Sequence, residues 1–193
     1  MLRNLRVGLA VSIVAACSRA PAPLAIGVPA TKAALTLDGE LGEQDWLDEA
    51  LVPFHRSGSS ESARPHSEAR FLHDAKNLYV GLYAADEDLR HDDEFVLRLD
   101  AGKGAREVAF PVSGSAREIG GWKSGVALAM DVDGTVDDAS DDDEEWGVEA
   151  SIPLASLGAV TSGAKIAFSV RRCDRTKDGV VRCGETAGVL LLK

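Results

Sequence analysis

Apolar and polar residues alternate with a period of two along much of this chain. Leu78, Val80, Leu82 and Ala84 alternate with Tyr79, Gly81, Tyr83 and Ala85. Phe95, Leu97 and Leu99 repeat the pattern, as do Val126, Leu128 and Met130, then Trp146, Val148, Ala150 and Ile152, then Ile166, Phe168 and Val170. Such alternation predicts strands with one face on a core. Strands are predicted near 33–38, 67–73, 77–85, 94–100, 106–112, 125–131, 146–152, 165–172 and 187–192. Turn residues separate them, among them Asp74 to Asn77, Ala101 to Gly104, Gly120-Gly121, Asp133-Gly134 and Asp178-Gly179. One helical piece is predicted over Gly42 to Ala50, where Trp46 and Ala50 share a face. A second short turn is predicted at Leu154 to Leu157. The expected fold is all-β: a single β-sandwich, jelly-roll or immunoglobulin-like, with about nine strands and one short N-terminal helix.

The N-terminus reads as an address. Arg3 and Arg6 make a basic start, and Val7 to Ala16 is an apolar run too short for a membrane-spanning helix. Residues 1–16 are expected to be a bacterial signal peptide. The run ends in Val14-Ala15-Ala16-Cys17, which resembles a lipobox, so Cys17 is the expected lipidation site. An ordinary signal peptide with an incidental Cys is the alternative. Ser18 after Cys17 favours the outer over the inner membrane, with the body facing periplasm or surface. Pro21, Pro23 and Pro29 suit an extended tether over 17–30. Residues 31–193 then form one domain.

Formal net charge is −10, and cleavage before Cys17 would remove two arginines and make it −12. That argues against nucleic acid and against adhesion to anionic lipid, leaving membrane contact only through Cys17. Cys173 and Cys183 remain, separated by a turn at Lys177 to Gly179. An even pair in an oxidising compartment predicts a disulfide.

Three phrases carry a family resemblance: Leu35 to Trp46 with its Asp38-Gly39, Glu68 to Asp86 with its Asn77-Leu-Tyr-Val80, and Trp146 to Leu157 with its Val148-Glu-Ala-Ser-Ile-Pro153. In this order they resemble the family 9 carbohydrate-binding module, one of the DOMON-like β-sandwiches. The resemblance covers about Ala33 to Lys193. It implies a non-catalytic domain whose ligand is a glycan. The alternative is a structural or protein-interaction lipoprotein that kept the sandwich and lost the sugar site. Haem binding, known in other DOMON-like domains, needs an axial Met or His facing one pocket, and Met130 and four scattered His offer none.

No hydrolase, zinc or phosphate-loop motif supports an enzyme. The resemblance implies stacking Trp residues in the loops before the 94–100 strand and before the last strand. Here those loops hold Arg90 and Arg182, and the family's polar helpers align with Val96 and Pro111. Trp46 and Trp146 fit core patterns. Trp122, between glycines, is either a clamp on a sandwich end or an exposed platform for a sugar. Glu149 and Arg172 are either an ion pair joining two strands or polar ligand contacts. Nine carboxylates lie between 131 and 145. Asp131, Asp133, Asp137 and Asp138 are candidate ligands for a structural Ca²⁺, which occurs in the family. A solvated acidic loop is the alternative.

Overall fold

The computed structural model describes residues 24–32, 35–47, 51–138, 140–158 and 160–193. The expected signal peptide and Cys17 lie outside the described residues. Among the described residues, twelve strands form two sheets packed as a sandwich. The first sheet contains β1 (Leu24–Val28), β3 (His55–Arg56), β6 (Glu94–Asp100), β7 (Arg106–Pro111), β8 (Arg117–Ile119), β11 (Lys165–Arg175) and β12 (Val181–Leu192). Its order is β1-β12-β11-β6-β7-β8, with β3 also on β12. The second sheet contains β2 (Val52–Pro53), β4 (Ser67–His73), β5 (Asn77–Ala85), β9 (Ala127–Asp133) and β10 (Glu145–Pro153), ordered β2-β4-β5-β10-β9. Only the β1–β12 pair among these named strands is parallel.

The alternation read from the sequence builds the core. Leu78, Val80, Leu82 and Ala84 of β5 and Trp146, Val148, Ala150 and Ile152 of β10 face Phe95, Leu97 and Leu99 of β6 and Ile166, Phe168 and Val170 of β11, all buried. Two aromatic contacts cross between the sheets. Phe71 meets Phe168 at 4.9 Å and Phe95 meets Trp146 at 4.7 Å between ring centroids. Pairs at such spacing add about 0.5–1.5 kcal/mol beyond their buried area.

A second, smaller apolar layer lies on the outer face of the second sheet. Trp46, in the short helix α1 (Gln44–Leu47), packs with Leu72 and Tyr79, and Leu35, Leu37 and Leu41 close around them. The indole approaches β5 where it has no side chain: a Cβ on Gly81 would stand 3.3 Å from the Trp46 ring and 2.7 Å from Leu41. This layer explains why no strand forms over 35–38. The amides of Asp38 and Gly39 are taken by the Glu149 carboxylate, at 2.8 and 3.1 Å, rather than by a β ladder. Residues 33–34 of that expected strand, and 48–50 of the expected helix, lie outside the described residues. Residues Leu154–Leu157 form the expected short turn, of 3-10 type.

Other elements also differ from expectation: β9 begins two residues later than expected, and β2, β3 and β8 lie where no strand was expected. β1 lies inside the stretch read as a tether, so the sheet begins before residue 31. Leu24 to Val28 pairs in register with Gly188 to Leu192, and the missing side chain of Gly188 lets the Leu24 carbonyl approach. The last hairpin is also longer than predicted. β11 runs to Arg175 and β12 starts at Val181, with Cys173 directly opposite Cys183. Their disulfide, as expected from the sequence, closes that hairpin.

Candidate functional site

The long hairpin, the end of β5 and the polar loop 57–66 meet at one end of the sandwich. Between them lies a cleft of about 920 Å³, walled by Arg64, His66, Asp86, Asp88, Asp174 and Arg182 among others. That volume suits a small ligand. A second groove of about 1170 Å³ adjoins it, edged by Ser57, Ser60 and Ser62 and again by Arg64 and Arg182. The two arginines therefore stand on the divide between the concavities. Among the described residues, no Trp, Tyr or Phe lines either one.

Beneath the cleft lies a buried ionic network. β11 alternates Ile166, Phe168 and Val170 inward, and the same parity turns Arg172 and Asp174 inward at its end. The Arg172 guanidinium donates to Asp86 and lies 3.7 Å from Asp174. Its other terminal nitrogen reaches the Ala85 carbonyl at 3.4 Å and the Ser67 hydroxyl at 3.5 Å. Asp93 joins Asp86 and Asp174, and one oxygen from each lies within 4.8 Å of the others. Three acids sharing one arginine are hard to ionise together out of water. Burial pushes Asp93 up to about 7, against a backbone hydrogen bond from Arg90. Burial also raises Asp174 to about 6, with Arg172 opposing. At the cleft, Asp174 Oδ2 and Asp88 Oδ1 are buried with no hydrogen-bond partner. The other Asp88 oxygen accepts from Arg90 at 2.8 and 2.9 Å.

The sequence candidates fall in different places. Trp122 is not a platform: it is 6 % exposed, belongs to the core, and donates its indole N–H to the Ser156 carbonyl at 3.2 Å. The clamp reading is the one the structure matches, because the paired glycines at 120–121 fold the ring inward over the sandwich end. Glu149 and Arg172 do not pair, since they belong to different sheets and Glu149 points to the outer layer while Arg172 points between the sheets. Glu149 is fully buried and accepts from the Asp38 and Gly39 amides and from Trp46 Nε1 at 2.5 Å. That makes it a latch rather than a ligand contact. Arg172 belongs to the buried network and lines a small recess beside the cleft with Arg64 and Arg182. Arg90 does not line the cleft; it is tied to Asp88, which does.

The four candidate calcium ligands do not converge. Asp131 and Asp133 are exposed positions on β9. Asp137 holds the His91 backbone and ring, and Asp138 holds Ser140. Asp143 of the same stretch is buried and ties two loops by accepting from Leu89 and Thr135 amides, each at 2.7 Å. Two acidic groups do converge among the described residues: Asp38 with Glu43 and Glu149, and Asp86 with Asp93 and Asp174. Neither fits Ca²⁺, which takes six to eight oxygens. Glu149 is committed to three N–H donors, and Arg172 already supplies the positive charge within the Asp86 group.

Sequence reasoning placed Arg182 and Arg90 near a site but missed Arg64, His66, Asp86, Asp88 and Asp174. The signal for Asp86 was its position ending the second phrase, immediately after a strand. The polar loop 57–66 carried no comparable signal, because only the folded hairpin brings Arg64 to Arg182.

No protein-family model and no curated protein matches the chain. Solved structures do. A family 9 carbohydrate-binding module from Caldicellulosiruptor kristjanssonii, in complex with cellotriose, superposes with a TM-score of 0.67 at 13% identity, over 88% of this chain and 94% of that one. The same organism's family 9 module in complex with glucose gives 0.66 at 15% identity, over 88% and 96%. At such identities the likeness is one of fold.

Proposed function

We propose that this chain is a non-catalytic glycan-binding domain carried by a bacterial lipoprotein, and that its ligand occupies the cleft between the loop 57–66 and the β11–β12 hairpin. The observation that carries the reading is the conjunction of that cleft with a sandwich shared along nearly its whole length with sugar-bound modules. A cleft lined by carboxylates, arginines and a histidine offers many acceptors and donors to sugar hydroxyls. Without an aromatic platform it binds through hydrogen bonds and charge rather than by stacking. Lipidation at Cys17 would hold the domain at the envelope, and the acidic body would keep it off anionic headgroups. A glycan array probed with the full-length protein tests the ligand class. Saturable binding to at least one glycan, lost in His66→Ala and Asp88→Asn, is expected. Failure to bind any neutral or acidic glycan contradicts the reading. Intact-mass analysis of membrane-extracted protein tests the anchor: a diacylated or triacylated chain starting at Cys17 is expected, and an unmodified chain contradicts it.

The missing platform specifically favours one other reading, in which the same face docks a protein. Specific capture of a partner, blocked by the same cleft substitutions in a protein that binds no glycan, would support it.

A further inference from the structure

The two arginines on the divide define what kind of glycan the cleft accepts. Nearby Arg56, Arg70 and Arg90 each hold a carboxylate within ion-pair distance. Among the described residues the side chains of Arg64 and Arg182 hold no hydrogen bond or ion pair, although the chain carries ten more acids than bases and the Arg182 charge is felt by Asp174 and Asp178. Both are exposed, and both edge the two concavities and the small recess between them. The carboxylates that share the cleft with them have the reverse character, Asp174 lying directly across the β11–β12 ladder from Arg182. Asp88 and Asp174 are each 3 % exposed, and each has one buried oxygen with no donor.

We infer that the ligand is an acidic sugar, a uronic acid residue whose carboxylate lies on Arg64 and Arg182 while its hydroxyls donate to Asp88 and Asp174. This rests on the glycan reading above and narrows it. A neutral sugar would serve the orphaned acceptors and leave the arginine pair unmatched. A bare anion would serve the arginines and leave the buried acceptors unmet. A polyhydroxylated carboxylate answers both sets of groups in one molecule. Guanidinium is suited to the task because its planar fork meets a carboxylate through two parallel N–H donors. The lack of stacking surface then has a reason: charge-assisted hydrogen bonds take the place of ring contacts.

Calorimetry on the purified full-length protein decides it. The probes are galacturonate and glucuronate trimers, the methyl-esterified galacturonate trimer, cellotriose, and inorganic phosphate. A uronate trimer is expected to bind. Esterification, Arg64→Gln and Arg182→Gln are each expected to weaken it by about tenfold or more, and added salt to weaken it further. Both arginines are exposed, so the variants should melt with the wild type, and the melt is recorded to confirm it. Cellotriose binding as tightly as the uronates, unchanged in both variants, would overturn the acidic-sugar inference and leave the glycan reading standing. Phosphate binding as tightly as the uronates would overturn the inference by showing a simple anion site. No binding to any glycan on the array would remove both readings together.

Discussion

Trp46 Nε1 donates to the Glu149 carboxylate at 2.5 Å, joining a helix near the start of the domain to the middle of β10. The same carboxylate caps the Asp38 and Gly39 amides. The Asp-Gly and Trp of the first phrase and the Glu of the third are therefore two halves of one latch over the outer face of the second sheet. Removing one partner leaves buried donors unsatisfied, which costs more than the bond itself contributes. Glu149→Ala is expected to lower stability by about 2–4 kcal/mol and Trp46→Phe by about 1–3 kcal/mol. Urea melts measure both. A loss below about 0.5 kcal/mol in each would show that the layer is not latched there.

Reducing the Cys173–Cys183 bond should loosen the hairpin that forms one wall of the cleft. The two residues are separated by 10 positions, and closing a loop of that size contributes about 2–3 kcal/mol in a chain-entropy treatment. The Cys173→Ser, Cys183→Ser double variant is expected to lose stability on that scale. Hydrogen exchange should speed up most at 174–182. Unchanged exchange there would mean that strand pairing alone holds the wall.

Stability should fall as pH rises from 5 to 8. The folded pKa of Asp93, near 7, lies above its ordinary value of 3.8, so folded protein retains a proton the unfolded chain has released. That contribution is complete below about pH 4 and is lost as pH rises through 7. Asp174, raised to about 6, acts in the same direction, as does His91, which Asp137 raises through a hydrogen bond. The acids with lowered pKa, such as Asp74, exert their effect below pH 4 and do not oppose the trend. Melting temperature measured across pH 5–8 should decline, and Asp93→Asn should flatten the decline. A rising curve, or one unaltered in Asp93→Asn, contradicts the assignment.

Much of the fold was legible because period-two alternation reports burial directly, and β4, β5, β6 and β11 began where the pattern placed them. The latch residues were legible as a motif, but not as a latch, since residues 110 positions apart meet only after the sheet forms. β1 was hidden by prolines around it, although Leu24, Ile26 and Val28 already alternate. Trp122 showed how a loop signature misleads. Flanking glycines permit an exposed ring and also permit the fold-back that buries it, and only the contact with Ser156 distinguishes them. The acidic stretch looked like a cation site because charge density is visible in a sequence and convergence is not.

Calcium should accordingly leave the protein unchanged. Asp137 and Asp138 are engaged by His91 and Ser140, and Arg172 already neutralises part of the buried group. Melting temperatures in excess calcium and in chelator should agree, because a ligand that binds only the folded state would raise them. A rise of several degrees in calcium would reveal a site these side chains do not form as arranged.

The proposed function requires a glycan bound in the cleft at the hairpin end. The most direct measurement is nuclear magnetic resonance shift mapping of the labelled full-length protein, titrated with the best glycan from the array. Saturable changes are expected at the amides of Arg64, His66, Asp88, Asp174 and Arg182, with those around Trp122 unmoved. Changes centred elsewhere, or none that saturate with any glycan, would contradict the account.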